Sequence, residues 1–172
     1  MLAVAQQFRK HRTVSVRKEY DFSIENLWQA ISAPGNLIDN HPFCLENRPL
    51  KWGDDGHSDI LTYLNGRTYV RDFTEWSPHR GYSLVIGEEN GPKSHVVWRL
   101  ESLSETRCSL TISVSPYLLS HWPRPLSLVP FVIYIRPQLT KYLEAVLGGF
   151  GYNLQHSSPV PRNYFGAHRW FS

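Results

Sequence analysis

The chain has 172 residues, a formal net charge of +3, two cysteines, and six Trp, nine Tyr and eight Phe. A single domain of this length can bury close to ~70% of its unfolded surface without disulfide staples. Acidic residues interleave with the basic ones from Glu19 to Glu144, so there is no basic stripe for nucleic acid, and no apolar stretch approaches the ~20 residues of a membrane span. Cys44 and Cys108 follow no framework spacing, which argues for reduced thiols and a cytoplasmic protein.

Residues 1–12 place a short apolar run ahead of a basic cluster, the reverse of a secretory signal, and are expected to form a solvated extension. Residues 13–22 then alternate, with Val14, Val16, Tyr20 and Phe22 on one side and Lys18 the exception among them, as in a half-buried strand. Ser23 offers an N-cap, and Ile24, Leu27, Trp28 and Ile31 repeat at helical spacing. Ala33, Pro34 and Gly35 break that helix, and Pro34 can open a second short one through Ile38. Residues 43–51 read as an irregular strand interrupted by Pro49. Residues 57–64 and 67–76 are strands joined at Asn65-Gly66, a two-residue hairpin signal. Tyr82, Leu84 and Ile86 alternate in the next strand and Val96, Trp98 and Leu100 in the one after. Cys108, Leu110, Ile112 and Val114 alternate against Ser109, Thr111, Ser113 and Ser115, a row of hydroxyls expected to face water. Short turns between successive strands imply an antiparallel meander.

Three prolines punctuate residues 117–136. Here 126–135 reads as a helix with Pro130 in its first turn, ending or kinking at Pro137. From 137 to 155, Leu139, Tyr142, Leu143, Val146, Phe150 and Leu154 stack on one face of a helix roughly 28 Å long, enough to cross a small sheet. Gly148, Gly149 and Gly151 each cost about 1 kcal/mol against alanine inside it. Close approach of helix to sheet is the expected reason, with room for a ligand or a hinge as the other. Residues 156–172 form an aromatic tail, which either docks on the domain or holds a partner protein.

The segments VSVRKEYDFSIENLWQAISAPGNL, VRDFTEWSPHRGYSLVI and YLEAVLGGFGYNLQ, in that order, resemble the START-like helix-grip superfamily of polyketide cyclases and dehydrases, lipid-transfer domains and plant pathogenesis-related proteins. The tail VPRNYFGAHRWFS resembles the ending of some bacterial members. The resemblance spans about residues 12–155 and implies an α+β helix-grip fold, a curved antiparallel sheet wrapped around the long carboxy-terminal helix with two short helices after the first strand. It also implies an apolar cavity between sheet and helix. The expected organisation is an extension over 1–12, a helix-grip domain over 13–155 and a tail over 156–172. No catalytic motif of the superfamily transfers residue by residue.

Other constellations are weak. The eight histidines are isolated and Asp54, Asp55, His57 and Asp59 lack calcium-loop spacing, so neither a metal nor any cofactor is expected. On residues 69–75, Tyr69, Arg71, Phe73 and Glu75 share a face, where Arg71 could pair with Glu75 or meet a polar ligand head group. The reading is therefore a protein that binds or carries a small hydrophobic ligand such as a lipid, isoprenoid or aromatic polyketide, lined by Tyr69, Arg71, Phe73, Leu84, Trp98, Tyr134, Tyr142 and Phe150, with Arg71 as head-group anchor. The alternative is a metal-free enzyme of cyclase or dehydratase type in which a tyrosine, His95 or a carboxylate moves protons. A protein-interaction module is the third reading. Leu118, Leu119, Trp122 and Leu126 suggest a lip that touches a membrane transiently.

Overall fold

The computed structural model describes residues 12–119 and 122–172. The extension expected over 1–12 lies outside them, Arg12 apart. Seven antiparallel strands, β1 (Val14–Tyr20), β2 (Cys44–Gly53), β3 (Gly56–Tyr63), β4 (Thr68–Ser77), β5 (Gly81–Gly87), β6 (Ser94–Ser104) and β7 (Arg107–Ser115), form one sheet in the order β1-β7-β6-β5-β4-β3-β2. Five hairpins generate this order, and β1 closes the far edge by pairing along its whole length with β7. The fold is α+β, with the long helix laid against the apolar face of the sheet.

Helix α1 (Ile24–Ser32) begins where the Ser23 side chain accepts the Asn26 N–H, and it buries Leu27, Trp28 and Ile31. Pro34 does not open the second helix: residues 33–36 form a turn, and α2 (Leu37–Asn40) starts after it. Asn36 and Asn40 are buried there. Asn36 donates to the Ile31 carbonyl and Asn40 to the Asn36 carbonyl, so buried side chains tie the end of α1 to the start of α2.

The proline-rich run is helical from further back than expected. Helix α3 (Arg124–Pro130) has Pro125 in its first turn, and Pro130 is its last residue. A π-helical turn over Phe131–Ile135 then leads without interruption into α4 (Arg136–His156). The Arg136 N–H reaches back five residues to the Phe131 carbonyl. Pro137 has no N–H for the regular bond, so one wider turn absorbs the fault and the helix continues. Ser157 closes α4 in the left-handed conformation, its N–H on the Asn153 carbonyl.

The hydroxyl row of β7 is less wet than expected. Ser109 and Ser115 are buried and Thr111 and Ser113 half-buried. Ser109 lies between Glu19 and Glu101 in register, and Arg17 and Arg107 tie those carboxylates into a network that roofs it. The glycines of α4 serve close packing, against unexpected partners. A Cβ on Gly149 would stand 2.1 Å from the Asn40 carbonyl oxygen, and one on Gly148 would strike the Phe165 ring of the tail. Only Gly151 faces the sheet, where a Cβ would lie 3.3 Å from the Tyr20 ring.

Candidate functional site

Between the inner face of the sheet and α4 lies a cavity of about 430 Å³, within the range of sites that enclose small molecules. Strand alternation supplies its walls. Leu61 and Tyr63 come from β3, Tyr69 and Arg71 from β4, Leu84 and Ile86 from β5, Val96 and Trp98 from β6, and Ile112 and Val114 from β7. Tyr134, Leu139, Tyr142, Leu143 and Val146 descend from the helix side, and Trp170 and Phe171 of the tail close one end. Among the described residues, no Asp or Glu lines it.

Polar groups gather at one end. Arg71 stands directly across from Asp59 in the β3–β4 register, and its Nε donates to Asp59 Oδ1 at 2.7 Å while Nη2 donates to Oδ2. Both side chains are buried. Burial works against the guanidinium charge, but the facing carboxylate outweighs it and holds the Arg71 pKa above its ordinary value. Arg71 therefore does not pair with Glu75, which is exposed beyond a bulge between Phe73 and Glu75.

Beside this pair, His41 Nδ1 accepts the Phe43 backbone N–H at 3.2 Å, which leaves the imidazole proton on Nε2 for Tyr142 Oη at 2.9 Å. Tyr142 Oη is in turn 3.1 Å from Tyr63 Oη. Burial, aided by the positive charge of Arg71, pushes the His41 pKa down to about 3. Burial raises the pKa values of Tyr63 and Tyr142 well above that of a free phenol. All three groups are thus neutral near pH 7. Burial likewise pushes the Cys44 thiol up to about 12.

The tail is seated by the same device. His168 Nδ1 accepts the Trp170 N–H, and Nε2 bonds the Gln138 carbonyl of α4 at 3.0 Å. This holds Phe171 in a stack on Tyr63, with ring centres 4.3 Å apart.

Six of the eight expected site residues, Tyr69, Arg71, Leu84, Trp98, Tyr134 and Tyr142, come together on this cavity. Phe73 and Phe150 do not line it. Phe73 packs under the Arg71 guanidinium, 5.3 Å from the ring centre, within a cluster that includes Trp52, Trp76 and Tyr82. Phe150 is wholly buried and supports Trp98 edge-on. His95 also misses the cavity, because Val96 and Trp98 take the inward positions of β6. Sequence reasoning passed over Tyr63, His41, Trp170 and Phe171. Alternation of Asp59, Leu61 and Tyr63 could have shown the first, but the others arrive from a loop and from the tail.

No protein-family model matches the sequence, and no curated protein matches it. Solved structures do. A START superfamily protein from Mycobacterium smegmatis superposes with a TM-score of 0.64 at 13% identity, covering 84% of this chain and 98% of that one. The di-domain ARO/CYC BexL from the BE-7585A biosynthetic pathway gives a TM-score of 0.66 at 11% identity, over 84% of this chain and 46% of its own. DynU16, from the dynemicin biosynthetic locus, gives 0.61 at 16% identity, over 86% and 48%. The chain thus spans about half the length of these last two proteins. With its seven-stranded curved sheet, two short helices after β1 and long carboxy-terminal helix, the chain has the START-like helix-grip fold.

Proposed function

We propose that the protein binds a small hydrophobic ligand, of lipid, isoprenoid or aromatic polyketide type, in the cavity between sheet and helix. The observation that carries this reading is the cavity itself, about 430 Å³ of aromatic and aliphatic walls with polar groups at one end. A cyclase or dehydratase reading draws support from the hydrogen-bonded His41, Tyr142 and Tyr63 and from the likeness to an ARO/CYC protein. Binding without chemistry is favoured over it. His41 titrates far below neutrality and the tyrosines far above, so this group offers hydrogen bonds but no proton that moves readily near pH 7.

Ligand exchange at a membrane surface fits the helix beside the cavity. Leu126, Val129 and Ile133 are 65%, 61% and 71% exposed, and Trp122 is 55% exposed near them. Trp122 and Leu126 thus suit the expected lip, as does Leu118, which lines the cavity and is also exposed, whereas Leu119 is half-buried. No described helix is long and apolar enough to cross a membrane, so contact would be peripheral. Both cysteines are free thiols, which agrees with a reducing, cytoplasmic setting.

Native mass spectrometry of gently purified protein, with organic extraction of any adduct, tests the binding reading, alongside fluorescence titration with N-phenyl-1-naphthylamine. A stoichiometric adduct, or saturable probe binding weakened by Trp98→Ala, is expected. A clean apo mass together with no saturable probe binding would refute it. Flotation with anionic and neutral liposomes tests the membrane contact, and protein that stays at the bottom with both removes it.

A further inference from the structure

The polar end of the cavity carries one more hydrogen-bond donor than the protein uses. His41 Nε2, Tyr142 Oη and Tyr63 Oη bring three protons to the group, since the Phe43 N–H already occupies His41 Nδ1. The bonds His41–Tyr142 and Tyr142–Tyr63 consume two of them. One hydroxyl proton is therefore left without an acceptor in this network, whichever way the tyrosine pair is oriented. If the chain runs in one sense from His41 outward, each bond polarises the next and the spare proton sits on Tyr63. Tyr63 and Tyr142 both line the cavity.

The charged neighbour points the same way. Arg71 lines the cavity, whereas its carboxylate partner Asp59 does not, and among the described residues no other carboxylate side chain lines the wall. A ligand meets the positive member of the pair, which disfavours a cation and favours an oxygen bearing negative partial charge. A buried donor left unpaired costs more than a paired one returns, so a ligand without an acceptor at this point is penalised.

We propose that this end of the cavity is a recognition site for an acceptor oxygen, so that the ligand is an apolar molecule carrying a carbonyl or comparable oxygen where it meets Tyr63, Tyr142 and Arg71. The inference rests on the cavity-binding reading above and narrows its ligand class. Hydrocarbon chains and plain polyenes bind poorly, and ketones and other oxygen-ended aromatic or isoprenoid molecules bind well.

A pair of probes of matched shape, 2-acetylnaphthalene and 2-ethylnaphthalene, tests it by equilibrium dialysis. In the wild-type protein the carbonyl band of bound 2-acetylnaphthalene lies at lower wavenumber than in hexane, because its oxygen accepts a hydrogen bond. In the Tyr63→Phe/Tyr142→Phe double variant the ketone's affinity relative to the hydrocarbon falls about threefold to tenfold, because the ketone loses its donor and the hydrocarbon no longer faces an unpaired one. A bound carbonyl band at its hexane position overturns the acceptor site while leaving the cavity reading intact, and it needs no variant to fold. An unchanged affinity ratio in a folded double variant does the same. If neither probe binds the wild type, the cavity reading falls and this inference with it.

Discussion

Acid sensitivity should trace largely to one histidine. His41 is buried and neutral in the fold, its pKa pushed down to about 3, whereas in the unfolded chain it titrates near the ordinary imidazole value of about 6.5. The unfolded state therefore takes up a proton first as pH falls. Stability fully present above about 6.5 is lost progressively on the way to about 3. Each pH unit in that window removes somewhat over ~1 kcal/mol, so at pH 4.5 His41 alone has cost roughly 3 kcal/mol. His57, His95 and His168 are shifted down by burial too and add in the same direction. His41→Asn keeps an acceptor for the Phe43 N–H but cannot titrate. Its cost at pH 7.5 is about 1–3 kcal/mol, from the lost bond to Tyr142. The deficit against wild type should then shrink by roughly 3 kcal/mol between pH 7.5 and pH 4.5. Urea melts followed by tryptophan fluorescence at half-unit pH steps measure both curves. Parallel curves for the two proteins would refute the assignment of this acid limb to His41.

Asp59→Asn should destabilise by about 3–5 kcal/mol, since it strands the Arg71 charge inside the protein, and Asp59→Asn/Arg71→Met should recover most of that loss in thermal melts. Gly149→Ala should cost about 1–3 kcal/mol because the Asn40 carbonyl cannot step aside. Gly151→Ala should cost far less or stabilise, because the Tyr20 ring need give only a little and the helix gains up to about 1 kcal/mol; equal melting shifts for the two would contradict this packing. Phe171→Ala should cost about 3 kcal/mol and weaken N-phenyl-1-naphthylamine binding, since it uncovers Tyr63 and opens the end of the cavity; unchanged titration and melting curves would mean that the tail does not close the site.

Local periodicity determined the elements of this chain. Alternation over β1, β6 and β7, the Ser23 cap and the three- and four-residue steps from Leu139 to Leu154 are properties of neighbouring residues, and they survive into the fold with small changes of boundary. Inward positions followed from alternation as well, which is why Tyr69, Arg71, Leu84 and Trp98 face one cavity. Tertiary structure alone decided who meets whom. Arg71 found Asp59 because hairpin register sets them opposite each other across two strands, a relation that spacing within β4 cannot express. Phe73 and Phe150 hold a suitable face but sit one layer behind Arg71 and Trp98, since depth depends on what else fills the space. His41, Trp170 and Phe171 come from segments without periodicity; the nearby Phe43 N–H and the distant Tyr142 hydroxyl fix His41, and the bond of His168 to the Gln138 carbonyl seats the tail. The elements were legible because their causes are local; the polar end of the cavity was not, because it exists only where a loop, two strands, a helix and the tail converge.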